Sequence, residues 1–469
     1  MSLLTACVDS LDDYNIDQKR ASVVPARTLF TNGIKGVTDV LTTPSVNTNN
    51  FRLYSQQWTT TTYLNEPRYN MVARTYSQSF WQILYRDALA DFKESKRLVE
   101  EDLLLDPVIK NNQLGLIGIM EVYAWSILVN TFGDVPYSEA LDYSNPVPKY
   151  DDAATIFADL LVRLDASLAL LTPGVASFGA NDVLYGGTVA QWVKLGNSLK
   201  LKLGMTLADV DLTTAQTMAE EAAENVLGSN ADNAIFKYTA SPNNNPISQN
   251  LNPIFTSRED FIAASTIVDP MNELSDPRRS FYFTQVEGAY VGGVYGFSNT
   301  YAEFSTASEK ITAATFEAIL MDYAEVEFLL AEAAERGFDV PGTAAEHYTN
   351  GIEASILYWG GTQDQADDYI AQTEVAYATA EGDDYKDKIG FQKWLALYNR
   401  GWEAWNEWKR LDAPALLPPS GEGIVTELKI PVRMIYPVSE QTQNGAQRAA
   451  AASAIGSDEP TTKIFWDVN

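Results

Sequence analysis

Two stretches carry aromatic side chains where no helix or strand period would bury them. Trp58, Tyr63, Arg68 and Tyr69 lie in the polar, threonine-rich run from Phe51 to Met71. Tyr290, Tyr295, Phe297, Tyr301 and Phe304 lie among Gly288, Gly292, Gly293 and Gly296. Neither set recurs every second residue or at the helical period of about 3.6. A pyranose ring offers a face of C–H groups to an indole or phenol, while Asn, Gln and Arg meet its hydroxyls. Rings in polar loops are therefore candidate saccharide platforms. The competing reading is that they pin their loops to a scaffold. On the platform reading, the two loops converge into one shallow face. Replacing Trp58 and Tyr295 with Ala is then expected to abolish oligosaccharide binding and leave the melting temperature intact.

Other chemistries have fewer residues to work with. The chain has one cysteine, Cys7, and one histidine, His347. That excludes a disulfide framework and a Cys/His metal cluster within the chain. A Ser-His-Asp or Cys-His site would have to use His347, which falls on a helix face beside Tyr348. A formal charge of −29, from 33 basic and 62 acidic residues, repels phosphate backbones and argues against nucleic acid as a partner. Sixty-two acidic side chains leave room for the paired carboxylates of a glycoside hydrolase, about 5–9.5 Å apart, but no pair stands in a recognisable motif.

The elements that must position these loops are helical hairpins. In Met321 to Trp359, Val326, Leu329, Leu330 and Ala333 share one helix face, and Gly337 supplies a left-handed stop. Thr343 and Glu346 form a capping box for a second helix, in which Ala344, Tyr348 and Gly351 recur as in a tetratricopeptide repeat. Glu325, Glu332, Glu335 and Arg336 point away from the apolar stripe; for Glu325 and Glu332 a solvated face is preferred over a capping or pairing role. The signature returns at Trp192, Leu195, Gly196 and Leu199, followed by Ala215, Ala219 and Ala222. Such a hairpin cannot bury its apolar face alone, so a stack is implied.

Further helices are expected over Pro25–Leu41, Tyr76–Glu101 and Pro107–Phe132, with another capped by Asp151 and one opened by a Thr188/Gln191 capping box. The apolar run Leu114 to Val129 contains Glu121 and is shorter than the ~20 residues of a membrane span, so it reads as a buried helix. Asp383 to Leu411 holds one or two helices, with Trp402, Trp405 and Trp408 on a common core face. Phe51–Met71 and Tyr238–Phe316 read as loops. Ile424–Asn469 reads as an irregular tail with an extended piece at Ile430–Ile435.

Leu4-Thr5-Ala6-Cys7 has the form of a bacterial lipobox, followed by Asp9, Asp12 and Asp13. The charged and most of the apolar region of a signal peptide are missing, so the chain reads as a truncated or re-engineered precursor. Four further stretches keep a recognisable order: Asn130 to Ala140, Tyr323 to Ala333, Lys393 to Trp405 with Arg410, and Arg433 to Pro437 with Glu440 and Asn444. With the lipobox, the chain resembles the SusD/RagB family of nutrient-binding outer-membrane lipoproteins, in its SusD-like type two branch.

The resemblance implies an all-α fold, a right-handed superhelix of tetratricopeptide-like hairpins with a large irregular, loop-rich layer on one side. Residues 1–24 would be the lipobox remnant and tether, and 25–469 one domain. Within it, repeats lie mainly in 75–227 and 320–411, the ligand layer in 44–74 and 238–316, and the tail in 412–469. Lipid on Cys7 would anchor the protein to the membrane, and a SusC-like TonB-dependent transporter would be its partner. The ligand would be a glycan or, as in the RagB branch, a peptide. The resemblance implies no catalysis, and no catalytic residue, metal ligand or cofactor is assigned. The expected ligand-binding residues are Trp58, Tyr63, Arg68, Tyr69, Tyr290, Tyr295, Phe297 and Tyr301.

Overall fold

The computed structural model describes residues 24–382, 384–424 and 427–468, so Cys7 and the acidic stretch after it lie outside the described residues. The all-α architecture is present. The scaffold helices are α1 (Ala26–Thr42), α2 (Tyr76–Gln82, π-helical through Ile83–Leu89 and α-helical again over Ala90–Glu101), α3 (Pro107–Phe132), α4 (Ala153–Ala169), α5 (Val189–Thr206) and α6 (Leu212–Ala222). They continue with α7 (Tyr323–Glu335), α8 (Ala344–Trp359), α9 (Gln363–Ile370), α10 (Tyr385–Ala396) and α11 (Gly401–Leu411). Helices pack in pairs, α1 on α2, α3 on α4, α5 on α6 and α7 on α8; α5 then joins the stack to both α4 and α7.

The hairpins form for the local reasons their sequences suggest. Asp106 accepts the Val108 and Ile109 N–H groups at the start of α3, and Gly133, with φ 80°, stops it. Helix α3 is buried throughout from Gly115 to Phe132, as the central member of a stack must be. Thr343 and Glu346 make the expected capping box of α8. Gly351 faces Phe328 of α7 so closely that a Cβ there would lie 3.0 Å from the ring. His347 belongs to this hairpin too, with Nδ1 2.7 Å from a Glu327 carboxylate oxygen and Nε2 against the Pro341 carbonyl.

Several local expectations are corrected. Asp152, not Asp151, caps α4, because Asp151 already accepts from Ser138. Thr188 precedes α5 but makes no side-chain capping bond. The tail is not wholly irregular: it carries helices Val438–Gln443 and Gly445–Ala454. Ile430–Ile435 forms no strand; Val432 donates to the Pro460 carbonyl and Met434 to the Thr131 carbonyl. The run from Phe51 is not a surface loop at its start. It folds as a short helix, Phe51–Tyr54, and a strand, β1 (Trp58–Thr60), and is buried from Phe51 to Thr61.

The remaining strands are β2 (Val135–Pro136), β3 (Tyr150–Asp151), β4 (Ala234–Phe236), β5 (Phe261–Ala263) and β6 (Ala318–Met321). They pair as antiparallel two-stranded ribbons, β1 with β5, β2 with β3 and β4 with β6.

The largest correction concerns the acidic residues assigned to solvent. Glu325 and Glu332 are buried, inside an ionic network that joins four helices. Lys202 of α5 pairs with Glu325 of α7 at 2.8 Å and also with Glu403 of α11. Arg400 reaches Glu325 at 2.6 Å and Asp322 at 3.2 Å. Arg410 joins Glu332 at 2.6 Å to Glu407 at 2.7 Å, and Glu407 also holds Lys393 of α10 at 2.7 Å. Arg336 ties Glu332 to Asp209, which also takes Lys386. Six cations face six carboxylates, so the buried group is balanced although the whole chain is strongly acidic. Burial alone would raise the Glu325 carboxyl, but Lys202 and Arg400 overcome it and hold it down to about 2.

Removing one member of such a network strands a buried charge. Lys202→Met is expected to cost about 3–5 kcal/mol in denaturant unfolding. Lys35→Met, which breaks a half-buried pair with Asp39 one turn on in α1, is expected to cost no more than about 1 kcal/mol. The depressed Glu325 carboxyl adds a pH dependence. Its contribution is complete above the ordinary value of 4.5 and is lost as the pH falls toward about 2, which unfolding midpoints across that window would register.

Candidate functional site

The network reaches the loop layer through the turn between α10 and α11. Trp394 Nε1 donates to the Ser55 carbonyl at 2.9 Å, and Gln57 Nε2 donates to the carbonyls of Trp394 and Leu397. Gly401 lies so close to the Arg52 backbone that a Cβ would sit 2.4 Å from its nitrogen, so no other residue fits there without movement. Trp58 Nε1 donates to the Tyr398 hydroxyl at 3.0 Å, and the Arg52 guanidinium lies 5.2 Å from the indole centroid. A second loop is fastened to the same turn. Tyr282 stacks on Tyr398 with ring centroids 4.2 Å apart and donates its hydroxyl to the Leu395 carbonyl.

Above Trp58 lies a cleft of about 220 Å³. Trp58, Phe261 and Ile262, on the paired strands β1 and β5, line its apolar floor. One wall is Tyr301 with Thr284, Thr306 and Ala307; the other is Leu251, Pro253, Glu309 and Thr312. Thr284 and Thr306 fasten two chain segments: their hydroxyls lie 3.1 Å apart, and the Thr306 N–H donates to the Thr284 hydroxyl. Asn252 Nδ2 donates to the Thr312 carbonyl and so holds the following turn beside the cleft, with Ile254 and Phe255 exposed on it. Burial raises the Tyr301 hydroxyl above its ordinary value, so the group is a neutral donor at physiological pH. Glu309 is the one carboxylate in the lining.

The two aromatic loops do converge. The Asn299 N–H donates to the Thr61 carbonyl, and the Gly296 N–H to the Thr59 hydroxyl. Their rings nevertheless have different fates. Trp58 and Tyr301 line the cleft, Trp58 at only 2% exposure. Tyr69 and Tyr295 are buried with centroids 6.5 Å apart; Tyr69 accepts from Gln56, and Tyr295 donates to the Leu53 carbonyl at 2.6 Å. These two pin the loops and present no open ring face. Arg68 donates to the Gly296 carbonyl and lies over Phe297 at 5.5 Å, while Tyr63 is exposed under Arg74. Tyr63, Arg68 and Phe297 lie outside the cleft, and Tyr290 lines a separate trough.

Sequence reasoning missed Phe261, Ile262, Thr284, Thr306 and Glu309. The one legible signal nearby was Asn252-Pro253-Ile254-Phe255, apolar side chains in a turn-forming context.

A larger hollow, about 930 Å³, lies between α2, α3 and the segment after β2. Its charged lining is largely engaged: Arg97 pairs with Glu94 and Glu101, and Arg163 with Glu121. The cleft over Trp58 is the better fit to a ligand with an apolar face and a hydroxylated rim.

A family profile for SusD-like proteins of type two, described as "Starch-binding associating with outer membrane", matches residues 18–437. The chain belongs to the SusD-like family. Solved SusD-like structures agree over nearly the whole chain. A protein titled as chitin-binding is 26% identical, with TM-score 0.81, covering 94% of this chain and 99% of its own. A SusD homolog from Bacteroides uniformis is also 26% identical, with TM-score 0.78 and the same coverage. A chitin-binding SusD homolog from Flavobacterium johnsoniae, at 24% identity and TM-score 0.77 over 94% of this chain and 99% of its own, shares the fold. No relative among curated proteins matches the chain.

The burial of Trp58 and Tyr295 corrects the expectation that both can be truncated without cost. Trp58→Ala is expected to destabilise this SusD-like chain by about 3–5 kcal/mol in denaturant unfolding, because a large core ring and a buried hydrogen bond are lost together. Tyr63→Ala, on an exposed ring, is expected to stay within about 0.5 kcal/mol of the parent.

Proposed function

We propose that the protein is a non-catalytic receptor at the outer face of the outer membrane. It captures oligosaccharides in the cleft over Trp58 and delivers them to a TonB-dependent transporter. The cleft itself carries this reading: the half-buried Tyr301 ring on its wall can take a sugar's C–H face, threonine hydroxyls and a carboxylate can meet its hydroxyls, and Trp58, Phe261 and Ile262 close the apolar floor beneath. The starch-binding description of the family and the chitin-binding title of a 26%-identical structure support a glycan ligand. Lipid on Cys7 anchors the chain, a reading supported by the Leu4-Thr5-Ala6-Cys7 motif. The single carboxylate in the cleft lining favours binding over hydrolysis, which needs two flanking the scissile bond.

Tyr301 is the ring to test, since it is half-buried and stands on the cleft wall. Calorimetry with N-acetylated chitooligosaccharides and malto-oligosaccharides is expected to find binding by the parent protein. Tyr301→Ala is expected to weaken it about tenfold, equivalent to about 1.4 kcal/mol, with an unchanged unfolding midpoint. Equal affinity in parent and variant would overturn the cleft as the site. Release of new reducing ends would favour a hydrolase, and binding of peptides in place of glycans would favour a peptide receptor.

A further inference from the structure

We infer that the polar trough beside the cleft is a second saccharide subsite, so that the protein reads a chain of neutral sugar units and not a single residue. This rests on the carbohydrate reading above. The trough, about 390 Å³, lies between Tyr290 with the short helix Arg279–Tyr282 on one side and α9 on the other. The half-buried Tyr290 ring has the Arg279 guanidinium 5.5 Å from its centroid and the edge of Phe283 against it.

Asn272 fixes both partners. Its Nδ2 donates to the Tyr290 carbonyl at 2.9 Å, and its Oδ1 accepts from Arg279 Nη1 at 3.0 Å. Arg279 Nε donates to the Asp276 carbonyl, and among the described residues Nη2 has no hydrogen-bond partner. Across the trough, Gln365 and Asp368 are exposed on α9. A half-buried phenol, a guanidinium with a spare N–H, an amide and a carboxylate form a donor and acceptor set suited to a polyhydroxylated ring. The charged lining is Arg279, Asp368 and Asp276, the last paired with Arg278 at 2.6 Å, so the trough carries no excess positive charge to draw an anionic sugar.

Phe283 links the two hollows. Its backbone pairs with Ala307 on the cleft wall, its ring meets Tyr290, and the next residue, Thr284, lines the cleft. The cleft and the trough thus adjoin the same segment, Phe283 with Thr284, from its two sides. A single sugar in the cleft does not span that segment, whereas a longer chain does.

The test is chain length. Chitooligosaccharides and malto-oligosaccharides, from disaccharide to hexasaccharide, are titrated into the parent protein, Tyr290→Ala and Asp368→Ala; the last alters an exposed residue and leaves the fold intact. The parent's affinity is expected to rise with length. Both variants are expected to lose about tenfold on the hexasaccharide while staying within about twofold on the disaccharide, the pattern of a contact made only by the longer ligand. A parent that binds the disaccharide as tightly as the hexasaccharide overturns the second subsite and leaves the cleft standing. So does a length dependence unchanged in Asp368→Ala. No binding by the parent to either series overturns both readings, and preference for a uronate- or sulfate-bearing chain overturns the neutral assignment.

Discussion

Twelve paired charged side chains between α5, α7, α10 and α11, eight of them buried and four half-buried, decide how the scaffold can close. An ion pair taken out of water gains little over an apolar pair of the same shape, because desolvation offsets the attraction. Its consequence lies in what it forbids. Any slip of one helix along another would leave a carboxylate or a cation unpaired in a low-dielectric interior, at a cost of several kcal/mol. Lys202 therefore fixes α5 against α7 and α11 together, since Glu325 and Glu403 answer to the same ammonium group. Arg410 does the same between α7 and its own helix through Glu332 and Glu407. Apolar stripes alone tolerate sliding; this cluster does not.

The same charges stand at both edges of the turn that carries the loop layer. Lys393 precedes it, Arg400 and Glu403 follow it, and between them Trp394, Leu397 and Tyr398 hold the segment from Arg52 to Trp58. Trp58 is thus both a core residue and the floor of the cleft. Its N–H is turned inward to Tyr398, and the ring closes the bottom of the cleft with almost none of its surface exposed. A site arranged this way is pre-formed, which limits the ordering cost of binding a flexible chain.

Much of the scaffold was legible because periodic stripes and caps are local. Pro107–Phe132, the Thr343 capping box and the Ala215, Ala219, Ala222 series all follow from spacing that a few residues set by themselves. The ionic network was not legible. Glu325 and Glu332 look solvated when only their own helix is in view, because their partners Lys202 and Arg410 come from helices far away in the chain, Lys202 more than a hundred residues before Glu325. The site was legible in outline, since the two aromatic loops were found and do meet. Which rings face a ligand was not. Tyr69 and Tyr295 differ from Tyr301 only through tertiary partners, and the floor residues Phe261 and Ile262 join Trp58 through a three-residue ribbon too short to leave a period in the sequence.

The central claim is that the loop layer takes its shape from the buried charges beneath it. Amide hydrogen exchange in the parent protein and in Lys202→Met tests this most directly, read over α5, α7, the turn between α10 and α11, and residues 52–63. The account expects protection of residues 52–63 to fall in step with that of the turn. Faster exchange in α5 and α7 with residues 52–63 protected as in the parent would contradict it.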